Sequence, residues 1–181
     1  MPTFSELATA AYCPRKLYYE RRADDRGPPE DAAEVRSLAF EYPALLSAPA
    51  DALDARPIAV APAEYRRRLR AHRDRLDCWA ALADPPERNV LLEGKDSSGR
   101  VAKVLDGRVP VLVSAGTPPE NGVWAPQSVR ATAAALALAY RGAEPGRALV
   151  EYPAHAAVRE VPLTGRRRAR YRRTLRTVRA I

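Results

Sequence analysis

NVLLEGKDSSGRVAKVLDGRVPVLV, residues 89 to 113, decides the fold. Asn89 to Leu92, Gly99 to Leu105 and Val109 to Val113 are short runs rich in Val and Leu, separated by Asp, Ser and Gly, and they read as three strands joined by turns. Gly116 to Gly122 carries two prolines and reads as a loop. Gln127 to Tyr140 is rich in Ala and Leu and favours a helix, and Arg147 to Tyr152 with Val158 to Leu163 resembles a closing strand pair. Strands, a crossover helix and further strands over 89 to 163 predict an α/β fold, a small mixed sheet flanked by helices.

Helices are expected before the sheet. Ser5 followed by Glu6, Leu7 and Ala8 suggests a capped helix to about Tyr12, and Pro14 fits the first position of a second helical stretch through Glu20, with Cys13 at the junction. Residues 22 to 34, RADDRGPPEDAAE, read as a loop or mobile segment leading into Val35 to Leu46, which completes an N-terminal helical segment over 1 to 46. The stretch 47 to 61 is rich in Ala and Pro and weakly patterned. Between 63 and 83, Tyr65, Leu69, His72, Leu76 and Trp79 recur at the spacing of one helical face until Asp84, Pro85 and Pro86 end it. His72 on that stripe reads as a packing residue.

The 181 residues suffice for one domain with a core, and 46% hydrophobic with 29% charged residues excludes wholesale disorder and a disulfide-stapled miniature. No apolar run approaches the ~20 residues that span a bilayer. The N-terminus lacks the basic start and apolar segment of a secretory signal, which points to the cytoplasm, where Cys13 and Cys78 are expected as free thiols. The net charge of +8 resides in residues 166 to 181, RRRARYRRTLRTVRAI, which hold eight Arg and no acid. Without this basic C-terminal helix or tail, 22 basic residues face 22 acidic ones. Arg outnumbers Lys 27 to 3, so a nucleic-acid reading rests on where the Arg sit and not on their number.

The segment FSELATAAYCPRKLYYERR, residues 4 to 22, resembles the opening of the RecB-like CRISPR-associated nucleases, the Cas-four family of the PD-(D/E)XK superfamily. GRVAKV at 99 to 104, VPVLVSAG at 109 to 116, Gln127 at the head of an Ala-rich helix and VEYP at 150 to 153 follow in the order that family would show. The resemblance implies a PD-(D/E)XK, restriction-endonuclease-like core, an iron-sulfur cluster with Cys13 as one ligand, and Mg²⁺ or Mn²⁺ at a nuclease site. A four-iron cluster commonly takes four thiolates, and no Cys follows Cys78, so either the cluster has been lost or its other ligands lie beyond Ile181. The chain as given is expected to bind no stoichiometric iron.

In that superfamily paired carboxylates hold a divalent metal that polarises the scissile phosphate, while a Lys two residues after the second acid orients the nucleophile. Motif for motif, Ala102 stands where the first Asp would be, Val113 at the acidic position and Ala115 at the Lys position; Gln127 alone is retained. Methyl and isopropyl groups ligate no hard cation, so the resemblance implies a degenerate site and no metal. An alternative, migrated site is Glu93, Lys95 and Asp96, an E-x-K string with Asp84 nine residues before Glu93. Solvated turn charges are the competing account of these residues.

A helical tail would place Tyr171, Leu175 and Val178 on a narrow apolar stripe, with Arg166, Arg170 and Arg173 on one side and Arg167 flanking them. Such a helix docks by its stripe and offers Arg to phosphates. Arg15 and Lys16, with Tyr18, Tyr19, Arg21 and Arg22, add a second basic and aromatic patch; Tyr18 and Tyr19 cannot face one way on a helix, so at least one is expected in the core. The functional expectation is a nuclease-fold component of CRISPR adaptation or DNA processing, in antiviral defence, that binds DNA or another adaptation protein. Its alternatives are a working metal-dependent exonuclease and a protein-binding adaptor.

Overall fold

The computed structural model describes residues 1–23 and 30–181. Its centre is one five-stranded sheet: β1 (Glu87–Glu93), β2 (Ser98–Leu105), β3 (Val109–Val113), β4 (Arg147–Tyr152) and β5 (Ala157–Pro162), side by side in chain order. All neighbours are antiparallel except β3 and β4, which pair in parallel from Val111↔Leu149 to Val113↔Glu151. A parallel pair needs a crossover. Helix α8 (Ala125–Tyr140) supplies it. The architecture is therefore mixed α/β, with a mixed sheet between helices.

Before the sheet come α1 (Phe4–Tyr12), α2 (Pro14–Glu20), α3 (Glu30–Ser37), a 3₁₀ turn (Leu38–Phe40), α4 (Tyr42–Ser47), α5 (Ala50–Asp54), α6 (Pro62–Arg75) and α7 (Trp79–Ala83). After it comes α9 (Gly165–Ala180). One sheet face packs on α1, α8 and α9 through Phe4, Leu7, Val104, Leu112, Val150 and Leu175. The other carries Leu105, Val111 and Leu149 against Cys78 and Leu82 of the α7 region. Tyr42, Tyr65 and Leu69 join α4 and α6 in an adjoining cluster. No helix among the described residues is long and apolar enough to cross a membrane.

Two glycines set how closely the helical layer approaches. A Cβ on Gly94 would lie 2.9 Å from the Cα of Ala137 in α8, and one on Gly99 would lie 2.6 Å from the Phe4 ring. The run of Ala in α8 serves the same end, since Ala131, Ala133, Ala134 and Ala137 are all buried against the sheet or α1.

Several local expectations are corrected. The first helix is capped by Thr3, not Ser5, in a reciprocal box in which the Glu6 amide donates to Thr3 Oγ1 and the Thr3 amide to the Glu6 carboxylate. The helix expected over 63 to 83 is two: the chain turns extended at Leu76, because Tyr65 and Leu69 bury in one cluster while Cys78 and Leu82 bury under the sheet. His72 does pack, with Nε2 3.0 Å from the Ala156 carbonyl oxygen, and desolvation holds its pKa below the usual value. Residues 24–29 of the loop expected over 22 to 34 lie outside the described residues, and from Glu30 the chain is helical, earlier than anticipated. The weakly patterned stretch 47 to 61 contains α5. Tyr18 and Tyr19 are both exposed and meet edge to face; Leu17 fills the core place expected of a tyrosine.

Candidate functional site

β2 loses its alternation at Ala102. Val101 and Val104 both face the α8 layer, although residues three apart on a regular strand point to opposite sides. Lys103 and Leu105 face the other layer. Across the ladder, Arg88↔Lys103 and Val90↔Val101 are paired on either side of Asn89, which adopts φ 51°, a left-handed conformation that Asn tolerates better than most residues. No residue is inserted; the two strands kink together. On its other side β2 pairs with β3 only from Lys103 to Leu105, so Ala102 lies where both ladders lapse.

A cavity of about 630 Å³ opens at this kink. Ala102 and Val113 lie in its wall, so two of the three positions implied as metal-site positions share one space. Around them stand Arg36 from α3, Arg88 from β1, Arg100 from β2 and Arg130 from α8. Arg88 pairs outward with Asp84 at 3.2 Å and lies over the Phe40 ring at 5.4 Å. Arg100 Nη1 donates to the Asn89 carbonyl at 2.9 Å. Arg130 donates from Nη2 to the Arg100 carbonyl at a long 3.5 Å, and its buried Nε has no partner among the described residues. Desolvation, with the nearby charge of Arg36, lowers the Arg130 pKa.

No carboxylate is among the described residues lining the cavity, and no group of three or more His, Cys, Asp or Glu able to hold a metal occurs among the described residues. The donor set is cationic and does not fit Mg²⁺ or Mn²⁺, which take oxygen ligands. Ala115 lies beyond the end of β3. Gln127 lines a separate cleft of about 420 Å³ with Tyr12 and Trp124, its Oε1 buried without a partner among the described residues.

The E-x-K string is dispersed. Glu93 ends β1 and is exposed, whereas Asp84 precedes the other end of the strand and pairs there with Arg88. Lys95 is exposed in the turn, and Asp96 is held by Arg179 of α9 at 2.7 Å. The residues do not fit an iron-sulfur cluster either: Cys13 joins α1 to α2, while Cys78 is buried on the opposite side of the sheet, and both are free thiols.

The basic patches are on the surface. In α9, Tyr171, Leu175 and Val178 are buried and Arg166, Arg170 and Arg173 are exposed on the opposite side. Arg167 is different, since its Nη1 donates to the Pro162 carbonyl at 3.4 Å and its Nε is buried. Arg21 fixes the tail to the N-terminal helices by pairing with Glu6 at 2.9 Å and donating to the Val178 carbonyl at 3.1 Å. Arg15 and Lys16 are exposed on α2, next to the rings of Tyr19 and Tyr12 respectively.

Behind the cavity is a group that the sequence reading passed over. Lys103 Nζ is wholly buried and donates to the carbonyls of Ala39 at 2.6 Å and Leu82 at 2.9 Å and to Glu151 Oε1 at 3.0 Å. Burial raises the Glu151 pKa and lowers that of Lys103, each opposed by the partner's charge. The signal was present: one Lys within VAKVL and one Glu within ALVEY are charges inside apolar strands, and such charges are buried only when paired. Arg130 carries the same mark, a lone charge in an Ala-rich helix; Arg36 and Arg88 carry none. Comparison with known proteins finds no family model and no curated protein that matches the chain.

Proposed function

We propose that the chain is a PD-(D/E)XK core of RecB-like, Cas-four type whose catalytic ligands are gone, and that it holds the DNA backbone in CRISPR adaptation or related DNA processing without cutting it. The order helix, three antiparallel strands, crossover helix and parallel strand supports the fold assignment. One observation carries the function: the cavity at Ala102 and Val113 presents four arginines and, among the described residues, no carboxylate. Such a site attracts a phosphodiester and repels the cation needed to hydrolyse it.

Exposed arginines on α9 and α2, with Tyr12, Tyr18 and Tyr19 uncovered beside them, give a surface that can contact phosphates and stack on bases. The test is fluorescence anisotropy of a labelled DNA strand titrated with protein in EDTA. Binding at near-physiological salt, unchanged when Mg²⁺ replaces EDTA, is the expected result. No binding in either buffer overturns the DNA reading and favours the protein-binding adaptor; binding that appears only with Mg²⁺ favours the metal-dependent exonuclease.

A further inference from the structure

We propose that the cavity between β1, β2, β3, α3 and α8 is a metal-independent phosphate site in which Arg130 is the central donor and Arg36, Arg88 and Arg100 surround it. This deepens the reading above by naming the chemical group that the cavity takes, yet it does not require that the phosphate belong to DNA.

Arg130 carries the inference. It keeps its proton in any protein environment, so it is a fixed charge on α8 facing the kinked strands. Among the described residues, its one hydrogen bond is the long contact to the Arg100 carbonyl, its buried Nε has no acceptor, and no carboxylate lines the space in front of it. Arg130 is half-buried, and a partly desolvated cation without a counter-ion among the described residues is destabilising, while the neighbouring Arg36 adds like-charge repulsion instead of relief. An anion seated among the guanidinium groups removes both penalties at once.

The other arginines are already positioned. Arg100 is anchored by the Asn89 carbonyl, and Arg88 by Asp84 and the Phe40 ring, so less side-chain freedom remains to be lost on binding. Guanidinium forks match the tetrahedral oxygens of a phosphate better than any other side chain does. Ala102 and Val113 leave the middle open, and the volume of about 630 Å³ accommodates a phosphate with an attached sugar. A divalent cation would meet four positive charges here, so the group is bound without metal.

The probe is inorganic phosphate, titrated calorimetrically into the full chain in EDTA, with thermal melting alongside. About one equivalent is expected to bind, Arg130→Met to weaken it by at least ~10-fold, and Arg36→Ala to weaken it by a smaller factor. Arg36 is exposed, so its substitution leaves the core intact even where Arg130→Met fails to fold. Arg108→Ala, exposed in the turn between β2 and β3, is expected to bind as the wild type does. Without phosphate, Arg130→Met should melt no lower than wild type; with phosphate, the wild type and Arg108→Ala should gain clearly more than Arg130→Met. Two competitors then identify the source. Displacement by an oligothymidylate without terminal phosphates assigns an internal diester, and displacement by thymidine 5′-monophosphate alone assigns a terminal monoester. Phosphate binding that neither competes away leaves the site standing and removes the DNA reading. The proposal is overturned by wild-type protein that binds no phosphate, by binding that requires Mg²⁺, or by equal binding and equal phosphate stabilisation in wild type, Arg130→Met and Arg36→Ala, which is a general salt effect.

Discussion

Lys103→Met is expected to destabilise the fold by ~3–5 kcal/mol, because it strands the Glu151 carboxylate in a dry interior. For a domain of this size, ~2–4 °C per kcal/mol makes that a fall of ~6–20 °C in the melting midpoint. Both side chains are 0% exposed, so solvent cannot take over the lost partner. The loss must also depend on pH. Burial raises the Glu151 pKa above its usual 4.5, and removing Lys103 removes the charge that opposes the rise. A group whose folded pKa is raised is best tolerated below its unfolded value, so the deficit should be smallest below pH ~4.5 and grow as pH rises towards neutrality. Lys103→Met/Glu151→Leu should recover about half the loss, since the carboxylate is gone but the carbonyls of Ala39 and Leu82 still lack their donor. Urea unfolding at two pH values measures all three quantities. Equal deficits at acid and neutral pH would contradict the buried-pair account.

The second large effect concerns DNA. Replacing Arg166, Arg170 and Arg173 together with Ala is expected to flatten the dependence of log affinity on log salt by ~2.7 for duplex DNA or ~2.1 for a single strand, three phosphate contacts at ~0.9 or ~0.7 each. These three side chains point away from the buried stripe of Tyr171, Leu175 and Val178, so the helix should stay docked. Arg167 was expected to act with them. Its guanidinium is turned towards the body of the protein, so Arg167→Ala alone should leave the slope nearly unchanged. An unaltered slope in the triple variant would remove α9 from the DNA-binding surface.

Much of the fold was legible. The strand at 109 to 113 and the one at 147 to 152 have the bounds read from sequence, because Asp-Gly and Gly turns precede short apolar runs, VPVLV and ALVEY, there. The tail helix and its buried stripe were equally clear, since the spacing of Tyr171, Leu175 and Val178 admits one docking face. Where the reading failed, tertiary contacts decided. Periodicity alone continued α6 into α7, but the burial of Cys78 and Leu82 under the sheet breaks the helix at Leu76, an advantage invisible to a local pattern.

The candidate site was legible by subtraction. Setting Ala102 and Val113 against the acids of a nuclease motif pointed to the region, and the cavity does lie there. What fills it was not legible, because Arg36, Arg88, Arg100 and Arg130 come from four elements and share no spacing in sequence. The kink that opens the space was hidden for a related reason. Asn89 read as an ordinary strand start, and nothing local marks the left-handed turn it takes between the Arg88↔Lys103 and Val90↔Val101 pairs, where the ladder lapses.

The central claim is that this cavity holds a DNA backbone and cannot hydrolyse it. Its most direct test is a single-turnover incubation of end-labelled single- and double-stranded DNA with excess protein and either Mg²⁺ or Mn²⁺, sampled until an active nuclease would have consumed the label. The account predicts that the DNA is bound and recovered at full length. Metal-dependent shortening that Glu93→Gln or Lys95→Ala abolishes would contradict it and place the chemistry at the end of β1.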